Sequence, residues 1–253
     1  MTLLRRVSIT VAQARAEQAR AVMLELFPEG FEEIEGTGGL EIAAYTNAAG
    51  EERIWQAFGG AAATPVEEGW EERWRRFHRP VRVGRLWIGP PWEEPESDAV
   101  CVVIDPGRAF GTGGHPTTQL CLQLLEGEER GSLLDVGCGS GVLAIAAVKL
   151  GFDPVVAVDF DPQAVEASER NAIENDVVVD VRLADLRADA LPECGLAVAN
   201  IASEAVAELG SRLQTRRAIT SGYLVSDQPE LAGYRLERRV EDGGWAADLH
   251  VRL

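Results

Sequence analysis

Hydrophobic residues recur along this chain with two periods, and the change from one to the other marks its elements. Near the start, Leu4, Arg6, Ser8 and Thr10 alternate with Arg5, Val7, Ile9 and Val11, the two-residue period of a half-buried strand. A helix is expected from Ala12 to Phe27, with Val22, Leu26 and Met23, Phe27 four apart and Pro28–Gly30 closing it. Strands over Phe31–Glu35 and Leu40–Tyr45 follow, joined through Gly36–Gly39, then a helix over Glu51–Phe58 and a last strand near Thr64–Glu68. The order β-α-β-β-α-β suits a ferredoxin-like α+β sandwich.

Beyond residue 66 the pattern loosens. Trp70, Trp74 and Phe77 are four and three apart, an aromatic stripe on one face of a short helix, and Arg73, Arg75, Arg76 and Arg79 form a local basic cluster. Nearby Glu67, Glu68, Glu71 and Glu72 make a solvated, internally paired helix face the default reading. Pro80, Pro90, Pro91 and Pro95 then punctuate the chain. From about residue 98, short apolar runs alternate with helical stretches: Leu133–Val136, Val142–Leu150, Val155–Val158, Val177–Leu183, Leu196–Asn200, Ser203–Leu213 and Ala218–Ser221. Two closing strands, Tyr234–Val240 and Trp245–Leu253, flank Glu241–Gly244. The expectation is an α+β substrate-recognition domain at 1–66, a helical or extended linker at 67–92, and a doubly wound, Rossmann-like α/β domain at 93–253.

Composition narrows the partners. The 253 residues carry 24 basic and 41 acidic side chains, a net charge of −17, which disfavours bare nucleic acid and anionic membranes and favours a basic protein partner. No apolar run approaches the ~20 residues of a membrane span, and the first residues lack a signal peptide's apolar core. Cys101, Cys121, Cys138 and Cys194 form no C-x-x-C pair, and the three histidines form no ligand cluster. A reduced cytoplasmic protein without a metal, working as a monomer, is expected.

The chemistry concentrates where the first strand of the α/β unit ends. Leu133–Val136 runs into Gly137, Gly139 and Gly141, and the neighbouring strand stops on Asp159. Glycines at the carboxyl end of a strand let backbone N–H groups approach a ligand, and a carboxylate about 20 residues on can accept both hydroxyls of a ribose. The third glycine of a dinucleotide fingerprint would fall at Val142, which argues against a nicotinamide enzyme. The pattern G-x-G-x-G, with Asp135 two residues ahead, is instead that of class I S-adenosyl-L-methionine methyltransferases. Thr118 reads first as an ordinary helix-start threonine, Asp185 as either a loop aspartate or an acceptor for an adenine amino group, and His115 as a loop-shaping side chain.

Four segments carry a closer resemblance: D-P-G-R-A-F-G-T-G-G-H-P-T-T (105–118), the stretch Leu134–Ala147, V-D-F-D-P-Q-A-V-E-A-S-E-R-N-A-I-E-N (158–175) and V-A-N-I (198–201). Together with W-E-E-R-W-R-R-F and W-I-G-P-P-W they resemble the PrmA-type methyltransferases of large-subunit ribosomal protein eleven, well over residues 67–225 and in outline before that. The resemblance implies S-adenosyl-L-methionine as cofactor, contacts to it from Thr118, Gly137, Asp159 and Asn200, and methylation of lysine or amino-terminal amines of a basic ribosomal protein. Gly139 and Asp185 complete the expected cofactor site, and Asn200 is the expected catalytic residue, orienting the attacking amine. Other readings are a small-molecule methyltransferase and a catalytically weak cofactor-binding ribosome-assembly protein. The chain departs from the family pattern at Gly114, at the start of the fourth strand, at Leu213–Arg217, and at Gln228–Gly233, where a full helix normally stands. The far edge of the sheet is therefore expected to be pared down.

Overall fold

The computed structural model describes residues 5–27, 31–36, 39–65, 78–105 and 113–253. The chain divides into two compact units, Met1–Phe77 and His78–Leu253. In the first, β1 (Arg5–Val11), α1 (Ala16–Leu26), β2 (Glu32–Gly36), β3 (Gly39–Thr46), α2 (Ala48–Phe58) and β4 (Ala62–Pro65) follow one another, with a 3-10 turn at Gln13–Arg15. The sheet order β2-β3-β1-β4, antiparallel throughout, is the expected split β-α-β arrangement. Alternation sets its faces: Val7, Ile9, Leu40 and Ile42 pack on Met23, Phe27 and Ile54 from the helices. On the opposite face Arg6 on β1 reaches Glu32 on β2 at 2.7 Å and Glu41 on β3 at 2.8 Å. Helix α2 starts earlier than its apolar spacing suggested, because the Asn47 side chain accepts from the Ala49 and Gly50 N–H groups.

The second unit opens with β5 (Val81–Val83), β6 (Leu86–Gly89) and β7 (Val100–Val103), a hairpin whose second strand runs parallel to β7. Residues 81–89, read from the sequence as part of a linker, thus form two strands that bury Leu86, Trp87 and Ile88. The aromatic and arginine stretch Trp70–Phe77 lies outside the described residues.

Then follow α3 (Pro116–Glu126), β8 (Leu133–Val136), α4 (Val142–Leu150), β9 (Val155–Asp159), α5 (Pro162–Glu174), β10 (Asp180–Leu183), β11 (Leu196–Asn200), α6 (Ser203–Leu209), β12 (Arg217–Leu224), β13 (Tyr234–Asp242) and β14 (Trp245–Arg252). The seven-stranded sheet has the order β10-β9-β8-β11-β12-β14-β13. Its first five strands are parallel, and β14 and β13 close it as an antiparallel pair. Helix α4 is apolar nearly all round and is buried from Val142 to Ala147.

Two elements are shorter than expected. Helix α6 stops at Leu209, and the Gly210 that follows lies so close to the Ala232 backbone that a side chain there would come within 2.3 Å of it. Strand β10 begins only at Asp180: Asp176 has a φ of 53°, the Val177 N–H is bonded back to the Ala172 carbonyl, and Val178 is 88% exposed.

Candidate functional site

The glycine loop is fastened to β9 by its own backbone. Gly137 and Cys138 both donate to the Val158 carbonyl, at 2.8 and 3.1 Å. Gly137 has a φ of 75°, and a side chain there would meet Ile201 Cγ2 at 2.6 Å, so the position requires glycine on both counts. Gly139 N–H donates to Asp159 Oδ2 and Asp161 N–H to Asp159 Oδ1, each at 3.0 Å. Asp159 is 8% exposed, and two backbone donors lock its carboxylate while leaving lone pairs on both oxygens. The expected trio Gly137, Gly139 and Asp159 is therefore one connected construction.

Asp135, which the sequence reading placed in the motif two residues ahead of the glycines without a role of its own, belongs to it as well. It is fully buried at the centre of β8; Oδ2 accepts from Ala144 N–H at 3.0 Å, and Oδ1 has no hydrogen-bond partner among the described residues. Burial, opposed by the Ala144 bond and aided by repulsion from Asp159, pushes its carboxyl up to about 7. The available signal was an aspartate inside the apolar run Leu133–Val136.

Thr118 and Asn200, 82 residues apart, meet across the loop. Asn200 Nδ2 donates to Thr118 Oγ1 at 3.1 Å, and Thr118 is fully buried. Asn200 Oδ1 is buried with no partner among the described residues. His115 caps the helix that carries Thr118: its Nδ1 accepts from Thr117 N–H at 3.3 Å and lies 2.7 Å from Thr117 Oγ1. Burial lowers the His115 pKa to about 4, so the ring is neutral and shapes the loop. Ile201, next to Asn200, passes under a bulge in β12 where Gly222 has a φ of 102°; a side chain at Gly222 would lie 2.2 Å from the Ile201 carbonyl oxygen.

Asp185 stands apart from this cluster. Its side chain is exposed, and Oδ1 accepts from Arg187 N–H at 2.8 Å, capping its own turn. Ala184 N–H donates to the Asp159 carbonyl, which keeps Asp185 near the rim of the site. Phe160, the residue after Asp159, presents a 74% exposed ring there that sequence reasoning did not single out.

Of the loop 105–118, residues 106–112 lie outside the described residues. Its start is held by two asparagines of the N-A-I-E-N segment. Asn171 Oδ1 accepts from Asp105 N–H at 3.1 Å while its Nδ2 donates to the Ser140 carbonyl at 2.9 Å. Asn175 pairs with both the N–H and the carbonyl of Val103, as a neighbouring strand would. No group of three or more potential metal ligands occurs among the described residues.

This strand order, with glycines at the end of the first parallel strand and an acid at the end of the second, defines a class I, Rossmann-like methyltransferase fold. The model of the ribosomal protein L11 methyltransferase (PrmA) family matches residues 8–248, and the chain belongs to that family. It is 44% identical over 187 residues to the ribosomal protein L11 methyltransferase of Laribacter hongkongensis, covering 68% of this chain and 63% of that one. The Chromobacterium violaceum protein of the same name is 41% identical over 201 residues, with 72% and 67% covered. The ribosomal protein L11 methylase structure from Lactobacillus delbrueckii subsp. bulgaricus superimposes with a TM-score of 0.61 at 30% identity, covering 69% of this chain and 99% of that chain. The match to the Laribacter protein thus spans less than two thirds of that relative's length.

Proposed function

We propose that this chain is an S-adenosyl-L-methionine-dependent protein N-methyltransferase acting on lysine or amino-terminal amines of ribosomal protein L11. The observation that carries the proposal is the Thr118–Asn200 hydrogen bond, which fixes the Asn200 amide and leaves Oδ1 buried and free to accept. The names of the relatives supply the substrate.

The residues present fit the cofactor. The side-chain-free Gly137 and Gly139 leave room for its amino-acid end, the locked Asp159 carboxylate offers lone pairs to ribose hydroxyls, and the buried carboxyl of Asp135 complements a cation. When bound, the cofactor supplies an electrophilic methyl group on a sulfonium. The attacking amine must be neutral, whereas free lysine has a pKa of ~10.4. Low-dielectric surroundings at Asn200, beside the fully buried Thr118, favour the neutral form. Asn200 Oδ1 then accepts one N–H of that amine and aims its lone pair, so alignment and desolvation are what the chain contributes.

The net charge of −17 favours a basic ribosomal protein over bare nucleic acid, and we take the chain to act in the cytoplasm as a monomer. No helix among the described residues is long and apolar enough to cross a membrane. The first unit is assigned the task of holding the protein substrate, and the second the chemistry. Asp185 remains assigned to the adenine rim, where its Oδ2 is the oxygen to offer.

The test combines labelled cofactor, purified ribosomal protein L11 and mass spectrometry, with cofactor affinity measured on the same preparations. Asn200→Ala is expected to lower single-turnover methylation far more than it weakens cofactor binding. Tighter binding of NAD than of S-adenosylmethionine, or no methyl incorporation by the wild-type chain, would overturn the proposal. Equal fractional losses of rate and affinity would reduce Asn200 to a cofactor contact.

A further inference from the structure

Two separate routes connect the closing hairpin of the sheet to Asn200. The first starts at Trp245, the first residue of β14, which is 6% exposed. Its ring meets that of His115 edge to face, with centroids 4.7 Å apart and planes at 73°. His115 caps α3, and Thr118 of that helix holds the Asn200 amide at 3.1 Å. The second route starts one residue later. The Ala246 carbonyl accepts from Ser221 Oγ at 2.7 Å, and the Ser221 carbonyl accepts from Ile201 N–H at 3.0 Å, immediately after Asn200. The side chain of Asn200 and the backbone that carries it are thus both braced by Trp245–Ala246.

We infer that Trp245 is a positioning residue for methyl transfer, acting through His115 and Thr118 to hold the Asn200 amide in its reactive orientation. The inference rests on the function proposed above. Edge-to-face contact requires an aromatic ring at 245, because an aliphatic side chain of similar bulk offers the imidazole no oriented partner. Loss of that contact frees the His115 cap to turn, and the displacement is passed to Thr118. Asp159, the residue assigned to the cofactor's ribose, lies on β9, four strands from β14 in the sheet.

The experiment uses the full chain, with Trp245→Leu and Trp245→Phe each assayed against ribosomal protein L11. Trp245→Leu is expected to slow single-turnover methylation by about tenfold at saturating cofactor, while the S-adenosylmethionine dissociation constant moves by less than about twofold. Trp245→Phe, which restores the aromatic edge, should return the rate to within about threefold of wild type. Equal rates for the Leu variant and wild type, or a Phe variant as slow as the Leu variant, would overturn the inference. If Trp245→Leu does not fold, His115→Asn takes its place, since it keeps a capping side chain but removes the ring. A second readout is independent of turnover: the Asn200 side-chain amide NMR signals, assigned by their disappearance in Asn200→Ala. They should shift in the Leu variant and stay near wild type in the Phe variant; unmoved signals in the Leu variant reject the coupling. Should the wild-type chain transfer no methyl group, the proposed function falls and these amide signals alone decide the role of Trp245.

Discussion

Asp135→Asn should stabilise the free protein at neutral pH and remove a pH dependence that the wild-type chain carries. Asp135 has no exposed surface, one hydrogen bond from Ala144 N–H, and the Asp159 carboxylate as a like-charged neighbour. Its carboxyl therefore titrates at about 7 when folded, against about 3.9 in an unfolded chain. Between those values the folded state holds one proton more than the unfolded state, so unfolding free energy falls as pH rises, by about 1.4 kcal/mol per unit. The contribution is fully present below about pH 4 and lost once pH passes about 7, which over about three units amounts to at most about 4 kcal/mol. Domain stabilities are about 5–15 kcal/mol, so a loss of even half that size is measurable. Asparagine copies the shape of the protonated carboxyl, keeps an acceptor for Ala144 and stays neutral at every pH. Self-repulsion of the net charge also weakens the fold as pH rises, but nearly equally in both chains, so the comparison isolates residue 135. Urea unfolding of both proteins at pH 5, 6, 7 and 8 measures the effect. The wild type should lose about 1–4 kcal/mol relative to the variant across that range, with most of the loss below pH 7.5. Parallel stability profiles would refute the reasoning, since they would mean that Asp135 is already ionised at pH 5.

Asp159→Ala should weaken S-adenosylmethionine binding by about 1.5–3 kcal/mol, read by calorimetry, because bonds to a charged acceptor are lost; unchanged affinity would remove the ribose role. Asn175→Ala strands both the N–H and the carbonyl of Val103 and should cost about 2–4 kcal/mol of stability. A chemical-denaturation difference below about 0.5 kcal/mol would show that water replaces the amide. A fragment of residues 78–253 should keep cofactor affinity and lose methylation of intact ribosomal protein L11. A fragment starting at Glu93 lacks β5 and β6 and should unfold more easily, because β7 then has no strand partner; equal stability of the two fragments would contradict this.

What could be read from the sequence was local along the chain. The alternation in β1, the glycines after β8 and Asp159 at the end of β9 lie within one strand-helix-strand unit, so spacing alone sets their places. The hairpin β5–β6 was hidden because its strands are three and four residues long and stand among prolines, a composition shared with linkers. The apolar pattern ran past the ends of α6 and β10: Gly210 lies tight against Ala232 after the first, and Val177 is bonded back to Ala172 before the second. The resemblance marked Thr118 and Asn200 as separate cofactor contacts, and their bond to each other was not legible, since nothing in either segment points to the other. The asparagines 171 and 175 were visible as letters but not as a clamp, because their partners Asp105 and Val103 lie 66 and 72 residues away. Asp185 was left open by the sequence. Its distance along β10 suits a ligand, yet the same position suits a turn cap, and the Arg187 N–H takes Oδ1.

The pared-down edge follows a physical logic that the departures from the family pattern only hinted at. A sheet face left by a shortened crossing must still be covered, and here Leu231 is 2% exposed against the same cluster as Leu209 and Leu213. Between β12, β14 and β13 lies a buried polar cluster in which Asp248 Oδ1 and Arg239 Nε have no hydrogen-bond partner among the described residues. The Tyr223 hydroxyl lies 2.8 Å from Thr220 Oγ1 and 3.0 Å from Asp248 Oδ2, His250 Nε2 lies 3.0 Å from Thr220 Oγ1, and Arg239 approaches Asp248 at 3.4 Å. Burial raises the Asp248 pKa, against the pull of the Arg239 guanidinium and the Tyr223 hydroxyl, and lowers that of His250 to about 4, so the imidazole is neutral at neutral pH. This cluster fixes β14 against β12, and β14 supplies Trp245 and Ala246 to the two routes that end at Asn200. A second unit shortened anywhere along this hairpin should therefore lose alignment of the amine before it loses the cofactor, whereas shortening at the β10 edge should act in the reverse order.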